Sequence, residues 1–129
     1  MLSQLAFTGW LDLSPNGKLL AFEVSTGSGP KFALVSADSG QTVGMIDPDK
    51  RFVSGHVRFT PDNRSIAYPV HADRGYAIWQ QALDGSSGKL VTSLQPNYIA
   101  NFRWSLGGRK LAVARTHAER DATLIRDVQ

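Results

Sequence analysis

The sequence predicts an all-β protein built from β-propeller blades, about three four-stranded antiparallel sheets in series. Two observations predict it. A ten-residue stretch occurs three times, as Leu13–Phe22, Phe59–Tyr68 and Trp104–Val113, and its hydroxyl residues Ser14, Thr60 and Ser105 stand 46 and 45 positions apart. A repeat in the forties made of short strands is the signature of one blade per repeat. Each copy also has the same internal order of apolar residue, Ser or Thr, turn, then alternating apolar residues. That order reads as a hairpin between two antiparallel strands.

The turns carry their own chemistry. In the middle copy Pro61 presets φ, and Asp62 and Asn63 bond to nearby backbone and tolerate positive φ. In the first copy Gly17 takes the left-handed position without steric cost. In the third, Gly107 and Gly108 do so, and Leu106 replaces the proline.

In chain order, residues 1–7 are short, alternating and apolar (Leu2, Leu5, Phe7) and are expected to complete a neighbouring blade. Blade one spans about 8–47. Trp10–Leu13 is its inner strand, Lys18–Val24 its second, Lys31–Ala37 its third and Gln41–Ile46 its fourth, with Ser25–Pro30 a flexible loop. Asp47–Arg51 is the polar connection to blade two, which spans about 54–95 with strands Val57–Thr60, Ser65–Val70, Ala77–Leu83 and Lys89–Leu94. Pro69 cannot donate to a ladder, so the second strand is expected to end or bulge at Tyr68. Blade three spans about 98–129, with strands Ile99–Ser105, Arg109–Arg115 and Ala122–Asp127. Thr116–Ala122 has helical propensity, but repeat register places it in a loop. The residues expected in the core are Trp10, Leu13, Leu20, Phe22, Phe59, Ile66, Tyr68, Ile78, Trp79, Phe102, Trp104, Leu111 and Val113.

At these repeats the chain resembles the TolB-like (WD-like) propeller repeat, whose signature is roughly Trp-Ser-Pro-Asp-Gly-Lys-x-Ile-Ala-Phe. The resemblance covers nearly the whole chain, and copy three departs from it at Leu106 and Gly107. It implies that the signature joins a blade's innermost strand to its second, and that complete rings have six blades. From Phe102 to Val128 the chain also resembles, more weakly, the carboxyl end of propellers attached to bacterial serine/threonine kinases and winged-helix regulators. No kinase signature or winged helix is present in this sequence, so neither activity carries over.

Composition bounds the function. Of 129 residues, 42% are hydrophobic and 19% charged, ordinary for a globular domain. Fourteen Lys and Arg against 11 Asp and Glu give a net charge of +3, but the charges are scattered and no basic run exceeds two residues. No phosphate-binding stripe forms, and nucleic acid is not an expected partner. There is no cysteine, hence no disulfide or thiolate chemistry. The first residues lack the basic and apolar regions of a signal peptide. No run approaches the ~20 apolar residues of a membrane span, and no membrane partner is expected. Cytoplasm and periplasm both remain open.

The sequence holds no reaction motif. It has no Gly-x-Ser-x-Gly elbow, Gly85–Lys89 lacks phosphate-loop spacing, and His56, His71 and His117 show no metal-ligand spacing. No cofactor and no enzymatic activity are expected. The one constellation is Asp12, Arg58 and Arg103, which occupy equivalent positions, one before the last apolar residue of each inner strand. Charges there are expected to turn to the central channel, because burying them unpaired is costly. They form either a polar ring that holds an anionic ligand or partner side chain, or an Asp–Arg pairing that braces the blades. The leading expectation is a non-catalytic module for protein interaction or sensing in a bacterial signalling or regulatory protein. The alternatives are the propeller of a prolyl-oligopeptidase-like hydrolase and a small-ligand sensor. Three blades cannot close a ring, so either two copies form a six-bladed homodimer, with residues 1–7 pairing with Ala122–Asp127 of the other copy, or the chain is part of a longer propeller.

Overall fold

The computed structural model describes residues 6–53, 56–86, 88–116 and 123–125. They form eleven strands in three antiparallel sheets that follow one another along the chain. Blade one contains β1 (Ala6–Leu13), β2 (Leu19–Thr26), β3 (Gly29–Ser36) and β4 (Thr42–Ile46), in that spatial order. Blade two contains β5 (Arg58–Phe59), β6 (Ser65–Ala72), β7 (Gly75–Ala82) and β8 (Gly88–Leu90), again in order. Blade three contains β9 (Tyr98–Trp104), β10 (Leu111–Thr116) and β11 (Thr123–Ile125). The described residues contain no helix. The segment 117–122, expected as a loop, lies outside them.

The repeated turn is the same structure three times. Gly17, Asn63 and Gly108 have φ of 76°, 64° and 71°. Their N–H groups donate to the carbonyls of Ser14, Thr60 and Ser105 at 2.8, 3.0 and 2.9 Å. The hydroxyls of Ser14, Thr60 and Ser105 then accept from the N–H five residues on, at Leu19, Ser65 and Lys110. A short polar side chain before the turn thus satisfies the first donor after it, which is why Ser or Thr recurs there. Leu106 leaves this geometry intact, because the left-handed residue two positions later sets the turn.

Adjacent blades pack face to face. Ala21, Phe32, Leu34 and Ile46 of blade one meet Phe59, Ile66, Tyr68 and Val70 of blade two, with Val57 beside them, in one buried cluster. Ala67 and Ile78 of blade two meet Ile99, Phe102, Leu111 and Val113 of blade three in another. Two-residue alternation along each strand assigns one face to each neighbour.

Four expectations change. Ser25–Pro30, expected as a flexible loop, is a tight hairpin in which Ser25 pairs with Pro30 and Thr26 with Gly29. β6 runs unbroken past Tyr68, with Pro69 opposite Ile78. The residues beside Pro69 on the inner side are 51–53, not β5: Val53 N–H donates to the Pro69 carbonyl, and His71 N–H to that of Arg51. The proline therefore forfeits a single bond where the neighbouring segment ends. Ala6 and Phe7 pair with Ser25 and Val24 of their own blade, across an irregularity in β1. They extend the inner strand rather than complete a neighbour, and residues 1–5 lie outside the described chain, as do 122 and 126–127. Of the expected core, Phe22, Phe59, Ile66, Tyr68, Ile78, Phe102, Leu111 and Val113 are buried, while Leu20, Trp79 and Trp104 are partly so. Trp10 and Leu13 are exposed, 59% and 50%. The described chain places no blade against the outer face of β1, so Leu13 lacks the neighbour its equivalents have.

Candidate functional site

The three equivalent charged residues come together at the inner edge of the blades. Asp12, Arg58 and Arg103 are cross-strand partners of Ala21, Ala67 and Ala112, the same pair three times. A small residue opposite leaves space for a long or branched side chain to lean over the following blade. Asp12 does so. Its Oδ2 accepts from the Phe59 N–H at 2.9 Å, and its Oδ1 lies 3.5 Å from Arg58 Nη1. Arg58 does so too. Its Nε donates to the Phe102 carbonyl at 2.6 Å and its Nη2 to Asn101 Oδ1 at 3.0 Å. Arg58 thus spans all three blades, held by blade one's carboxylate and blade three's carbonyl.

Arg103 is different. It is exposed, and no described residue accepts a hydrogen bond or ion pair from it. Burial lowers the Arg58 pKa from its ordinary value and the charge of Arg103 lowers it further, with Asp12 opposing. Two guanidinium groups thus lie near one carboxylate, which pairs with Arg58, and the site keeps an excess of positive charge. The bracing role weighed from the sequence describes Asp12 and Arg58, which turn into the blade junctions. Arg103 stands outside it.

These residues line one cleft of about 260 Å³. Its apolar lining is Leu13, Pro15, Phe59, Pro61, Trp104 and Leu106, and Ser105 completes it. Pro15, Pro61 and Leu106 hold the same place in the three turns and form a collar over the charged floor. Leu106 is fully solvent-exposed. The turns also hold one another: the Asn16 N–H donates to Asn63 Oδ1 at 2.8 Å, and a Cβ on Gly108 would come within 2.8 Å of Pro61.

Sequence reasoning missed two polar features. Arg115, 1% exposed, reaches from blade three to the carbonyls of Tyr76, Asn97 and Ser93 at 3.0, 3.1 and 3.3 Å. Its position matches Val24 and Val70, so the repeat predicts an apolar residue there and gives no sign of a charge. A larger recess of about 470 Å³ lies over the connection between blades one and two. Within it Trp79 carries the Arg51 guanidinium 4.7 Å from its ring centre and lies so close to Gly88 that a Cβ there would approach to 2.5 Å. Asp47 pairs with Lys31 and Asp49 with Arg51. Its two carboxylates, Arg51 and its aromatic ring are already engaged, so this recess locks the connection. His56 stacks on Trp10 at 4.3 Å between ring centres, and among the described residues no three acidic, His or Cys side chains converge as a metal site.

No protein-family model and no curated protein matches the chain. Solved structures do. The chain is similar to TolB from Acinetobacter baumannii, with 20% identity over 95% of this chain and 30% of that one, at a TM-score of 0.76. It is similar to the β-propeller domain of the Trilobed protease from Pyrococcus furiosus, with 17% identity over 85% of this chain and 34% of that one, TM-score 0.58. It is also similar to the Pyrococcus horikoshii acylaminoacyl peptidase, with 19% identity over 87% of this chain and 17% of that one, TM-score 0.56. The fold is that of TolB-like propeller blades. The chain spans about a third or less of the length of each of these proteins.

Proposed function

We propose that this chain is a non-catalytic propeller module that binds a protein partner at the inner mouth of its blades, as the interaction or sensing part of a bacterial signalling or regulatory protein. One observation carries the reading: Arg103 is an exposed cation without a partner among the described residues, set in an apolar collar beside the Arg58–Asp12 pair. A partner carboxylate flanked by apolar side chains satisfies both features, through a charge-assisted bond to Arg103 and burial against Trp104 and Leu106. Selection from a random peptide display library tests it. Acidic residues flanked by apolar ones should be enriched, and Arg103→Gln should abolish the enrichment. Neutral or basic sequences emerging instead, or the same sequences emerging from Arg103→Gln, would overturn it.

The likeness to peptidase propellers favours a second reading, in which the blades gate a hydrolase domain supplied elsewhere. Sequencing the gene on both sides of this segment separates the two. An α/β-hydrolase segment selects the second, and a kinase or winged-helix segment the first.

A further inference from the structure

The turn of blade one holds an asparagine where blade two holds an aspartate, and the two side chains make the same bonds. Asn16 Oδ1 accepts from the Ser14 hydroxyl at 2.7 Å and from the Lys18 N–H at 3.0 Å. Asp62 Oδ1 accepts from the Thr60 hydroxyl at 2.7 Å and from the Arg64 N–H at 2.9 Å. The Thr60 bond does most to lower the Asp62 pKa, against the opposing effect of burial and with the Arg64 N–H adding to it. This cage of two donors therefore favours a carboxylate. At Asn16 it holds an amide instead, and the amide nitrogen Nδ2 makes no bond among the described residues.

Asn16 is also the one asparagine of four that precedes a glycine. Asn63, Asn97 and Asn101 precede Arg64, Tyr98 and Phe102. Glycine leaves its own nitrogen open to approach, since no Cβ crowds it. Gly17 has φ of 76°, and a Cβ there would meet nothing within 4 Å. Both Asn16 and Gly17 are exposed. The Gly17 N–H donates to the Ser14 carbonyl at 2.8 Å, so that one bond must open before the nitrogen can react. Opening of this kind is local and at the surface, where it costs least. The electrophile is already polarised, because the two donors on Oδ1 draw electron density from Asn16 Cγ.

We propose that Asn16 is a deamidation site, and that its product is the ordinary aspartate that blade two already carries at Asp62. The deprotonated Gly17 nitrogen attacks Asn16 Cγ, and the new C–N bond closes a cyclic imide. The Cγ–Nδ2 bond breaks and ammonia leaves, while the Gly17 proton passes to solvent base. Water then adds to Cγ and breaks the imide C–N bond. The Gly17 nitrogen regains a proton and Cγ becomes a carboxylate, so one amide and one water give one carboxylate and one ammonium. Attack of water at the main-chain carbonyl would give isoaspartate, which adds a carbon to the backbone and misplaces the Gly17 bond to Ser14. The donors that face Oδ1 direct the water to Cγ instead. Pro15, next in the chain, belongs to the collar of the mouth, so the conversion sets a new negative charge at that rim.

Peptide mapping by mass spectrometry tests it, on the 129-residue chain incubated at mildly alkaline pH, where more of the Gly17 amide is deprotonated. Asn16 should exchange its NH2 for OH about tenfold or more faster than Asn63, Asn97 and Asn101, because only its attacking nitrogen lacks a crowding Cβ. The same chain unfolded in urea should convert Asn16 faster still, with no Ser14 bond to open. Aspartate should outweigh isoaspartate in the folded chain, as read by a protease that cuts before aspartate alone, and the balance should move toward isoaspartate in urea. Asn16→Gln should remove the signal. Asn16→Asp makes the product directly and should raise the folded-to-unfolded ratio by about fivefold in urea melts at neutral pH, because the caged acceptor gains a charge. A carboxylate whose folded pKa is lowered stabilises above its unfolded value and stops doing so as pH falls through the folded one, so this gain should vanish in acid. Conversion at Asn16 no faster than at the other asparagines would overturn the site. Isoaspartate as the main product of the folded chain, or an Asn16→Asp chain no more stable than the wild type, would overturn the caged product.

Discussion

Arg115→Met should destabilise the protein by about 2–3 kcal/mol. The guanidinium is 1% exposed and donates to three backbone carbonyls, those of Tyr76, Asn97 and Ser93. Hydrogen bonds to a charged group contribute about 1.5–3 kcal/mol each. Three such bonds stabilise the fold by about 5–9 kcal/mol before the cost of taking the charge out of water, which is several kcal/mol per buried ion. The cost is visible here. No carboxylate among the described residues pairs with Arg115, its Nε has no acceptor, and burial lowers its pKa from the ordinary value. The difference leaves the about 2–3 kcal/mol assigned to methionine, which keeps much of the volume. Arg115→Ala adds a cavity and should cost about 4–5 kcal/mol in all. Urea melts at neutral pH measure both. The bonds tie blade three to Tyr76 of blade two and to the connection that follows it, so amide exchange at Tyr76 and Gln95, which bond each other, should quicken in both variants. If Arg115→Met melts within about 0.5 kcal/mol of the wild type, desolvation cancels the bonds and Arg115 does not hold the junction.

Other perturbations read the remaining contacts. Tyr68 is fully buried, its hydroxyl donates to Gln81 Oε1 at 2.6 Å and accepts from Asp49 N–H at 2.8 Å, and its pKa is pushed up to about 12, chiefly by burial. Tyr68→Phe should cost about 1–3 kcal/mol in denaturant melts by stranding both partners, and a loss under about 0.5 kcal/mol would mean water replaces the hydroxyl. Gly75 has φ of 135° and a Cβ there would lie 2.1 Å from the Gln95 carbonyl oxygen, so Gly75→Ala should cost at least about 2 kcal/mol, and a neutral effect on the melting midpoint would refute the close approach. Burial first, and then the charge of Arg58, lower the His56 pKa below 6.5 against an opposing backbone bond at Ala100. The folded protein then resists protonation more than the unfolded chain. This stability is present above about pH 6.5 and is lost as pH falls through it toward the lower folded value. Melts between pH 7.5 and about 5 should show that slope and His56→Gln should flatten it, whereas an unchanged slope would assign it to other groups.

The fold was legible because each blade repeats the same local instruction. Ser or Thr, a left-handed residue three positions on, and alternating apolar residues specify one hairpin whichever residues fill them, so Asn63 and Gly108 make one turn despite different neighbours. Pro69 misled because proline's restriction depends on what lies beside the strand, and that partner is the non-repeating segment 51–53. Asp12, Arg58 and Arg103 were found by alignment, but the bonds of the first two across the junctions come from packing. The alternation of apolar and charged residues marks a face and leaves open whether it meets water or another blade. Arg115 was invisible for the opposite reason. Its acceptors are carbonyls of irregular segments, and no side-chain pattern reports where a buried carbonyl points.

The same repeat explains why one site holds both a brace and a free cation. Within a series of blades, each inner-strand charge is neutralised or bonded by the blade that follows it. Asp12 and Arg58 have that blade, and their side chains are 23% and 14% exposed. Arg103 has the same backbone position, the same alanine opposite and no following blade among the described residues. Its exposure is a property of its place in the series, not of its local sequence. A surface that covers blade three would have to offer an acceptor at the height of Arg103 and an apolar surface over Ala112. Those two requirements define the partner more narrowly than net charge, because they fix one charge and one contact at a known spacing on a single sheet face.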